Sequence, residues 1–434
     1  MKTDTSSFGW PQIVRLGLVQ ACLGAVVVVT TSTLNRIMVV ELSLPALLPG
    51  FLVAWHYGVQ MVRPRMGFGA DKGRRNTPWM LGGMAVLSVG GVLAALATVW
   101  MASERIYGSV LALVAFTLIG LGVSACGTSL LTLMAKRVEE HRRAPAATAV
   151  WMMMILGFAV TSGIVGHLIE PYSPQVLLKV SAAVSLLTVA LTALSLRGLE
   201  GPPVDGPSTT GSSSPREDQP KPVFRQAFAA VWEEKTARTF TVFVFLSMLA
   251  YSAQELILEP FAGAVHGFTP GQTAQLSGLQ HMGVLGGMIV AALAGNARTR
   301  GRLGTIQDWM VGGCVASALA SACLSFAALA PQWPLKLNVV MLGIANGAVS
   351  ISAITTMMRL AGEGGPGREG TRMGLWGAAQ ALAFCLGGLL GTGASDLARV
   401  LLNGPANAYA SVFALQSALF AVSTIVALRL SAKR

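Results

Sequence analysis

The chain has 434 residues, of which 53% are hydrophobic and only 12% are charged, and its formal net charge at pH 7 is +12. Its mean hydropathy is +0.61. This composition excludes an ordinary soluble globular protein and predicts an integral membrane protein. Because a helix needs about 20 apolar residues to cross a bilayer, the successive apolar runs in this chain predict an all-α membrane fold.

Twelve transmembrane helices are predicted. Their spans are 13–34, 46–63, 78–100, 108–135, 145–168, 176–196, 239–258, 272–296, 304–329, 335–358, 372–393 and 408–430. The first apolar run follows a polar segment and carries no small-residue cleavage site, so we expect no removable signal peptide.

The distribution of positive charge predicts the orientation of the helices. If the N-terminus is cytoplasmic, all but five of the 31 Lys and Arg residues fall on the cytoplasmic side. The exceptions are Arg36, Arg105, Lys179, Lys336 and Arg399. Since cytoplasmic loops are enriched in Lys and Arg, both termini are expected in the cytoplasm. The positive charge then reflects topology and favours contact with anionic lipids, and it gives no reason to expect nucleic-acid binding.

One long hydrophilic stretch divides the helices into two sets of six. This predicts an N-terminal bundle over residues 1–196, a cytoplasmic linker over 197–238 and a C-terminal bundle over 239–434. The first part of the linker is rich in Pro, Gly and Ser and is typical of a disordered segment. The second part predicts an amphipathic helix on the membrane surface, because four apolar residues recur at helical spacing. They are Phe224, Phe228, Val231 and Trp232.

Six helices, a linker and six more helices is the layout of the major facilitator superfamily, in which two pseudo-repeats face each other across a central site. The loop "RPRMGFGADKGRRNTPW" resembles the cytoplasmic gating motif of that superfamily. The matching residues are Gly67, Asp71, Gly73, Arg74 and Arg75. A degenerate copy, "GNARTRGRLG", lies at the equivalent place in the second half.

Charged and polar residues recur near the outer ends of helices 1 and 7, which are counterparts in the two repeats. Asn35, Arg36 and Glu41 stand roughly where Gln254, Glu255 and Glu259 stand in the other half. Charges at membrane depth usually pair or face a cavity. One hypothesis is therefore an ion pair between Arg36 and Glu255 or Glu259 that locks the outer side. The alternative is that both carboxylates are solvated where helix 7 ends, before Pro260.

Three segments, "LNRIMVVELSLPALLPG", "RTFTVFVFLSMLAYSAQELILEPFAG" and "FTPGQTAQLSGLQHMGVLGGM", closely resemble the PucC/LhaA group, the bacteriochlorophyll delivery family within the major facilitator superfamily. The resemblance implies an assembly factor of the intracytoplasmic photosynthetic membrane that handles bacteriochlorophyll. It also implies partners among light-harvesting or reaction-centre polypeptides. The loop "GADKGRRNTPW" is shorter than in members tied to antenna assembly, which favours a sister branch associated with pigment-synthesis enzymes.

A bacteriochlorophyll needs one axial ligand for its magnesium, most often a histidine imidazole. His56 and His281 are candidates because they fall in helices 2 and 8, which are counterparts, and His167 near the end of helix 5 is a third. The alternative for each is a hydrogen bond to a neighbouring helix. The chain contains no phosphate-binding loop, no HExxH and no paired cysteines, so we expect neither an enzyme nor a metal site of its own.

Two other functions remain open from the sequence. One is a gradient-driven secondary transporter of a small amphipathic molecule, with Arg36, Glu255 and Glu259 as coupling groups. The other is a structural partner of nascent antenna polypeptides that never holds pigment.

Overall fold

A computed structural model describes residues 8–62, 75–200, 232–294, 304–330, 332–363, 369–402 and 404–431. In these ranges the chain forms twelve apolar helices of 13 residues or more. They are α1 (Trp10–Glu41), α2 (Leu47–Val59), α3 (Thr77–Trp100), α4 (Arg105–Arg137), α5 (Glu140–Leu168), α6 (Pro174–Leu196), α7 (Lys235–His266), α8 (Pro270–Ala294), α9 (Ile306–Ala327), α10 (Leu335–Glu363), α11 (Glu369–Leu401) and α12 (Pro405–Ser431).

Eleven of these helices are long and apolar enough to cross a membrane. The remaining one, α2, has 13 residues and continues into a short 3₁₀ turn over Gln60–Val62. It is therefore shorter than the predicted span 46–63, and the residues that follow it lie outside the described ranges. The chain is a multi-pass membrane protein.

Helix α1 contains two π-helical segments, Val29–Thr33 and Ile37–Glu41. Hydrogen bonds in a π turn join residues five apart, as in the bond of 3.1 Å from the Leu42 N–H to the Ile37 oxygen. Such segments rotate the residues that follow them relative to a regular α-helix. They therefore change which side chains of α1 share a face near its C-terminal end.

Helix α7 is longer than the sequence predicts. Pro260 lies inside it, and the helix ends only at His266, before Gly267 with φ of 68°. A left-handed residue such as this glycine is the usual helix terminator. The expectation that α7 ends before Pro260 is therefore wrong, because a side chain of the other half compensates for the hydrogen bond that a proline cannot make.

The two halves repeat the same helix pairings. In the N-terminal half α1 packs on α5, α2 on α4 and α3 on α6, and in the C-terminal half α7 packs on α11, α8 on α10 and α9 on α12. Each pairing recurs six helices later, which is the two-repeat architecture predicted from the sequence. Each half has hydrophobic clusters of its own.

The halves meet through α5 against α8 and α2 against α11. Glycines permit this contact: a Cβ at Gly166 on α5 would lie 2.6 Å from the backbone oxygen of Gly271 on α8. The domain limits at residues 196 and 239 stay predictions, and α7 begins at Lys235, within the predicted linker. The predicted amphipathic helix lies outside the described ranges except for Trp232 and the residues after it.

Candidate functional site

A buried polar cluster joins three helices where the halves meet. Glu259 on α7 is 2% exposed, and its Oε1 accepts a hydrogen bond from the hydroxyl of Ser32 on α1. The Ser32 hydroxyl also lies 3.4 Å from that of Ser277 on α8. The second carboxyl oxygen, Oε2, is buried and has no hydrogen-bond partner among the residues that the structure describes. Glu259 is thus an interior group at the half-interface, and the alternative of a solvated helix end is wrong for it.

The predicted ion pair between Arg36 and a carboxylate of α7 is not formed. Arg36 is buried and pairs through Nη1 with Glu41 on its own helix. The two residues are five apart across the π segment Ile37–Glu41, where residues at that spacing come onto one face. The predicted pairing was wrong because a regular α-helix would separate these two side chains.

Arg36 nevertheless links the two halves. Its Nη2 donates to the backbone oxygen of Phe268, in the turn between α7 and α8, over 2.7 Å. A Cβ at Gly263 on α7 would lie 2.9 Å from Nη2, so the guanidinium packs directly against the backbone there. Arg36 therefore contacts the other half through a hydrogen bond from its guanidinium to a peptide carbonyl.

Asn35 compensates for the proline inside α7. Pro260 has no N–H, so the carbonyl four residues earlier, on Leu256, lacks its helical partner. The Asn35 Nδ2 group, from the other half, donates to that Leu256 oxygen over 2.5 Å. Asn35 is 1% exposed. The predicted polar residue on α1 thus binds the backbone of α7, and it allows the helix to continue past the proline.

The other two predicted residues of α7 do not join this cluster. Gln254 is fully buried in the C-terminal half, where its Oε1 accepts from Asn346 on α10 over 3.1 Å and from Gln416 on α12 over 3.0 Å. Glu255 is half-buried and forms no ion pair with another described residue. Since successive helical residues differ by about 100° in direction, the predicted group of six separates into different environments.

His281 on α8 belongs to the half-interface. Its Nδ1 donates to the backbone oxygen of Ser277 over 2.8 Å. Its Nε2 is buried and has no hydrogen-bond partner. The ring of Phe158 on α5, in the opposite half, packs edge-on against the imidazole with the ring centroids 5.0 Å apart. One ring nitrogen of His281 is thus buried without a hydrogen-bond partner among the described residues.

The other two candidate histidines are placed differently. His56 is buried; its Nδ1 donates to the Val53 oxygen over 3.1 Å, and its Nε2 accepts from Gln60 over 2.7 Å. Both nitrogens are engaged, which favours a role in packing. His167 is exposed and accepts a long hydrogen bond of 3.5 Å from Gln275.

The predicted gating motif lies mostly outside the described residues. Gly67, Asp71, Gly73 and Arg74 fall there, and Arg75 is the first residue described after the gap.

The carboxylate of Glu200, which sequence reasoning missed, accepts from the N–H groups of two residues at the start of α3 over 2.9 and 2.7 Å.

These two residues at the start of α3 are Asn76 and Thr77, and they affect the acidity of Glu200. Partial burial acts to raise the pKa of Glu200, but hydrogen bonds from Thr77 and Asn76 outweigh it and hold the pKa below its ordinary value. The carboxylate therefore anchors α3 to the end of α6 in its charged form.

Further contacts between halves were also missed. Asp396 on α11 accepts from the backbone N–H groups of Ala46 and Leu47, at 3.0 and 2.7 Å, and so caps the start of α2. Glu170, after α5, accepts from the Thr269 hydroxyl. Isolated acidic residues near helix ends give little sequence signal, because most of them are solvated.

No group of three or more His, Cys, Asp or Glu side chains among the described residues is placed to hold a metal ion.

Comparison with protein families decides the relationship. The PUCC protein family matches residues 33–434. The chain belongs to that family. This PUCC-family chain is 49% identical over 428 residues to "Bacteriochlorophyll synthase 44.5 kDa chain" of Rhodobacter capsulatus, covering 99% of this chain and 97% of the relative. It is 25% identical to "Protein PucC" of the same organism, covering 96% of this chain and 92% of the relative.

Solved structures confirm the fold. A bacterial homologue of the human lysosomal transporter Spinster, inward-facing and occupied, matches with a TM-score of 0.68 at 14% identity, covering 97% of this chain and 96% of the other. A point mutant of the nucleoside transporter NupG matches with a TM-score of 0.69 at 13% identity, covering 96% and 99%. The PUCC-family chain therefore has the major facilitator fold, as predicted.

Proposed function

We propose that this chain is an assembly factor of the photosynthetic membrane that handles or delivers bacteriochlorophyll, or a precursor, for light-harvesting and reaction-centre complexes. The observation that carries the proposal is the likeness over nearly the whole chain, at 49% identity, to a relative named as a chain of bacteriochlorophyll synthase. Relatives named PucC align over most of the chain as well. The match is not limited to one motif, so a shared role of the whole fold is the simplest explanation.

The role we propose is non-catalytic. The name of the first relative contains the word synthase, but a major facilitator fold is built to bind a molecule between two halves and to change which side is open. A carrier that receives pigment from a synthase would fit both the name and the fold. Such a carrier would work beside pigment-synthesis enzymes and antenna polypeptides, in an inner membrane with both termini cytoplasmic.

A second candidate function is a gradient-driven transporter of a small amphipathic molecule. It is favoured by the buried Glu259, whose Oε2 has no partner at the half-interface. Intramembrane carboxylates of this kind often mark ion or proton pathways. Collapse of the proton gradient with a protonophore separates the two: pigment transfer by an assembly factor continues, whereas transport by a coupled carrier stops.

The test uses a pigmented purple bacterium that carries this gene. Deletion should lower the near-infrared antenna absorbance per unit of membrane protein, and a tagged copy should restore it. The tagged protein, purified in mild detergent, should carry extractable bacteriochlorophyll or precursor. A transporter of the same fold with the same tag, purified from the same host, controls for pigment carried by detergent. Normal antenna levels in the deletion strain together with a colourless protein would reject the proposal. A colourless protein bound to antenna polypeptides would instead favour the structural partner.

A further inference from the structure

We infer that Nε2 of His281 is the axial ligand for the central magnesium of the pigment, and that Phe158 covers this nitrogen in the present conformation. The inference rests on the proposed function and names the ligand at that site. It follows from the surroundings of one imidazole at the contact between α5 and α8.

The hydrogen bond of His281 fixes which nitrogen is free. A peptide carbonyl can only accept, so Nδ1 carries the proton that bonds to the Ser277 oxygen over 2.8 Å, and in the neutral ring Nε2 keeps its lone pair. Histidines that bind metals almost always donate their other N–H to a carbonyl or a carboxylate in this way, which orients the ring. The ring of His281 is therefore held as a metal ligand would be held.

The lone pair has no partner, although it is buried. His281 is 2% exposed, and no hydrogen-bond donor in the described part of the chain reaches Nε2. Buried polar atoms are paired in most native structures, so an exception calls for an explanation. Neither of the other two candidate histidines has this feature, because His56 is bonded at both nitrogens and His167 is exposed.

The surroundings of Nε2 favour a flat apolar ligand over a polar one. Phe158 packs against the imidazole, and it also contacts the cluster that contains Ile155, Val284 and Met288. The apolar residues of this cluster offer no partner to the hydroxyl groups of a sugar or nucleoside, and the polar groups nearby, Ser277 and Glu259, lie one helical turn away towards Pro270. A bacteriochlorin brings a large apolar plate and one electron-pair acceptor, its magnesium, which is what an apolar wall with one free imidazole nitrogen can bind.

Because His281 is 2% exposed, a pigment can reach Nε2 only if neighbouring side chains move, and the ring of Phe158 packs edge-on against the imidazole. The α5–α8 contact is tight on the Pro270 side of His281, where a Cβ at Gly278 would lie 3.1 Å from the oxygen of Ala159. On the other side of His281, Met152 and Met154 pack against the cluster that contains Val284 and Met288, and methionine side chains repack easily. We therefore expect the pigment to enter from the Ala294 end of α8, with Phe158 turning away from the imidazole.

The test compares a pigment with and without its metal. The full chain is produced in a host that makes no bacteriochlorophyll and is purified in mild detergent. It is titrated with bacteriochlorophyll a and, separately, with bacteriopheophytin a, which lacks magnesium. We expect the wild type to prefer the magnesium pigment by about tenfold or more. In His281→Leu this ratio should fall towards one while the affinity for bacteriopheophytin is kept, which also shows that the variant is folded.

The remaining outcomes are equally decisive. A ratio that His281→Leu leaves unchanged, or that His167→Leu abolishes instead, would overturn the assignment of the ligand while the proposed function stands. A wild type that binds neither pigment would reject pigment handling itself. Phe158→Ala should strengthen or speed the binding of bacteriochlorophyll, and weaker binding in that variant would show that Phe158 supports the pigment and does not cover the site.

Discussion

Replacing Asn35 with Leu tests how α7 continues through a proline. The substitution keeps a similar side-chain size and removes the donor that bonds to the Leu256 oxygen over 2.5 Å. Leaving a buried carbonyl unpaired costs about 1–3 kcal/mol. Part of this cost is offset, because the Oδ1 of Asn35 is itself buried without a partner and is removed as well. We expect Asn35→Leu to lower the free energy of unfolding by about 1–2 kcal/mol.

A second substitution makes the test specific. Pro260→Ala restores the N–H that can bond to the Leu256 oxygen within α7. In that background Asn35→Leu should cost almost nothing, which gives a coupling energy of about 1–2 kcal/mol in a double-mutant cycle. Unfolding by titration with sodium dodecyl sulfate, followed by the loss of helical circular dichroism, measures all four proteins. Equal costs of Asn35→Leu in both backgrounds would refute the reasoning.

Three further predictions concern the ends of the helices. Glu41→Ala should destabilise the chain by about 1–3 kcal/mol, because it leaves the buried Arg36 cation without its carboxylate, although the Glu41 side chain is 35% exposed and water screens part of the interaction. A cost no larger than that of Arg36→Met in the same titration would contradict this. Gly166→Ala should lower the free energy of unfolding, because its Cβ would lie 2.6 Å from a backbone oxygen of α8. Gly163→Ala is the matched control, since a Cβ at Gly163 meets nothing within 4 Å. Glu200→Gln should be less stable than the wild type at neutral pH. The difference should shrink as the pH falls below the ordinary carboxyl pKa of 4.5 and through the lower folded-state value, and a difference that does not change with pH would argue against a charged anchor.

The architecture was predictable because the bilayer imposes strong constraints on sequence. Runs of apolar residues and the asymmetry of Lys and Arg gave an even number of helices in two sets, and the helix pairings of the structure repeat in the same way. The boundary of α7 was not predictable by the same means. Pro260 normally marks a helix end, and only Asn35, more than two hundred positions away, compensates for it.

The sequence predicted which residues form the candidate site, but it did not predict which of them contact one another. The polar residues of α1 do contact the other half, but Arg36 bonds with Glu41 because a π segment lies between them, and a sequence window shows no signal for that turn. Ser32 and Ser277 were missed because serine is common in membrane helices and usually bonds to its own backbone. His281 was one of several candidates, and only the placement of its neighbours distinguishes it from His56.

Three of the contacts between the halves join a side chain to the backbone, which bears on how easily the halves separate. Arg36 and Asn35 donate to backbone carbonyls of the other half, and Asp396 accepts from backbone N–H groups. Breaking a buried ion pair would leave a charge uncompensated, which costs about 3–5 kcal/mol. Here Arg36 keeps Glu41 when the halves separate, so no charge loses its counter-ion at this end. Separating the halves at this end therefore costs less than breaking a buried ion pair, and the binding of a bacteriochlorin that we propose at His281 would need α5 and α8 to separate.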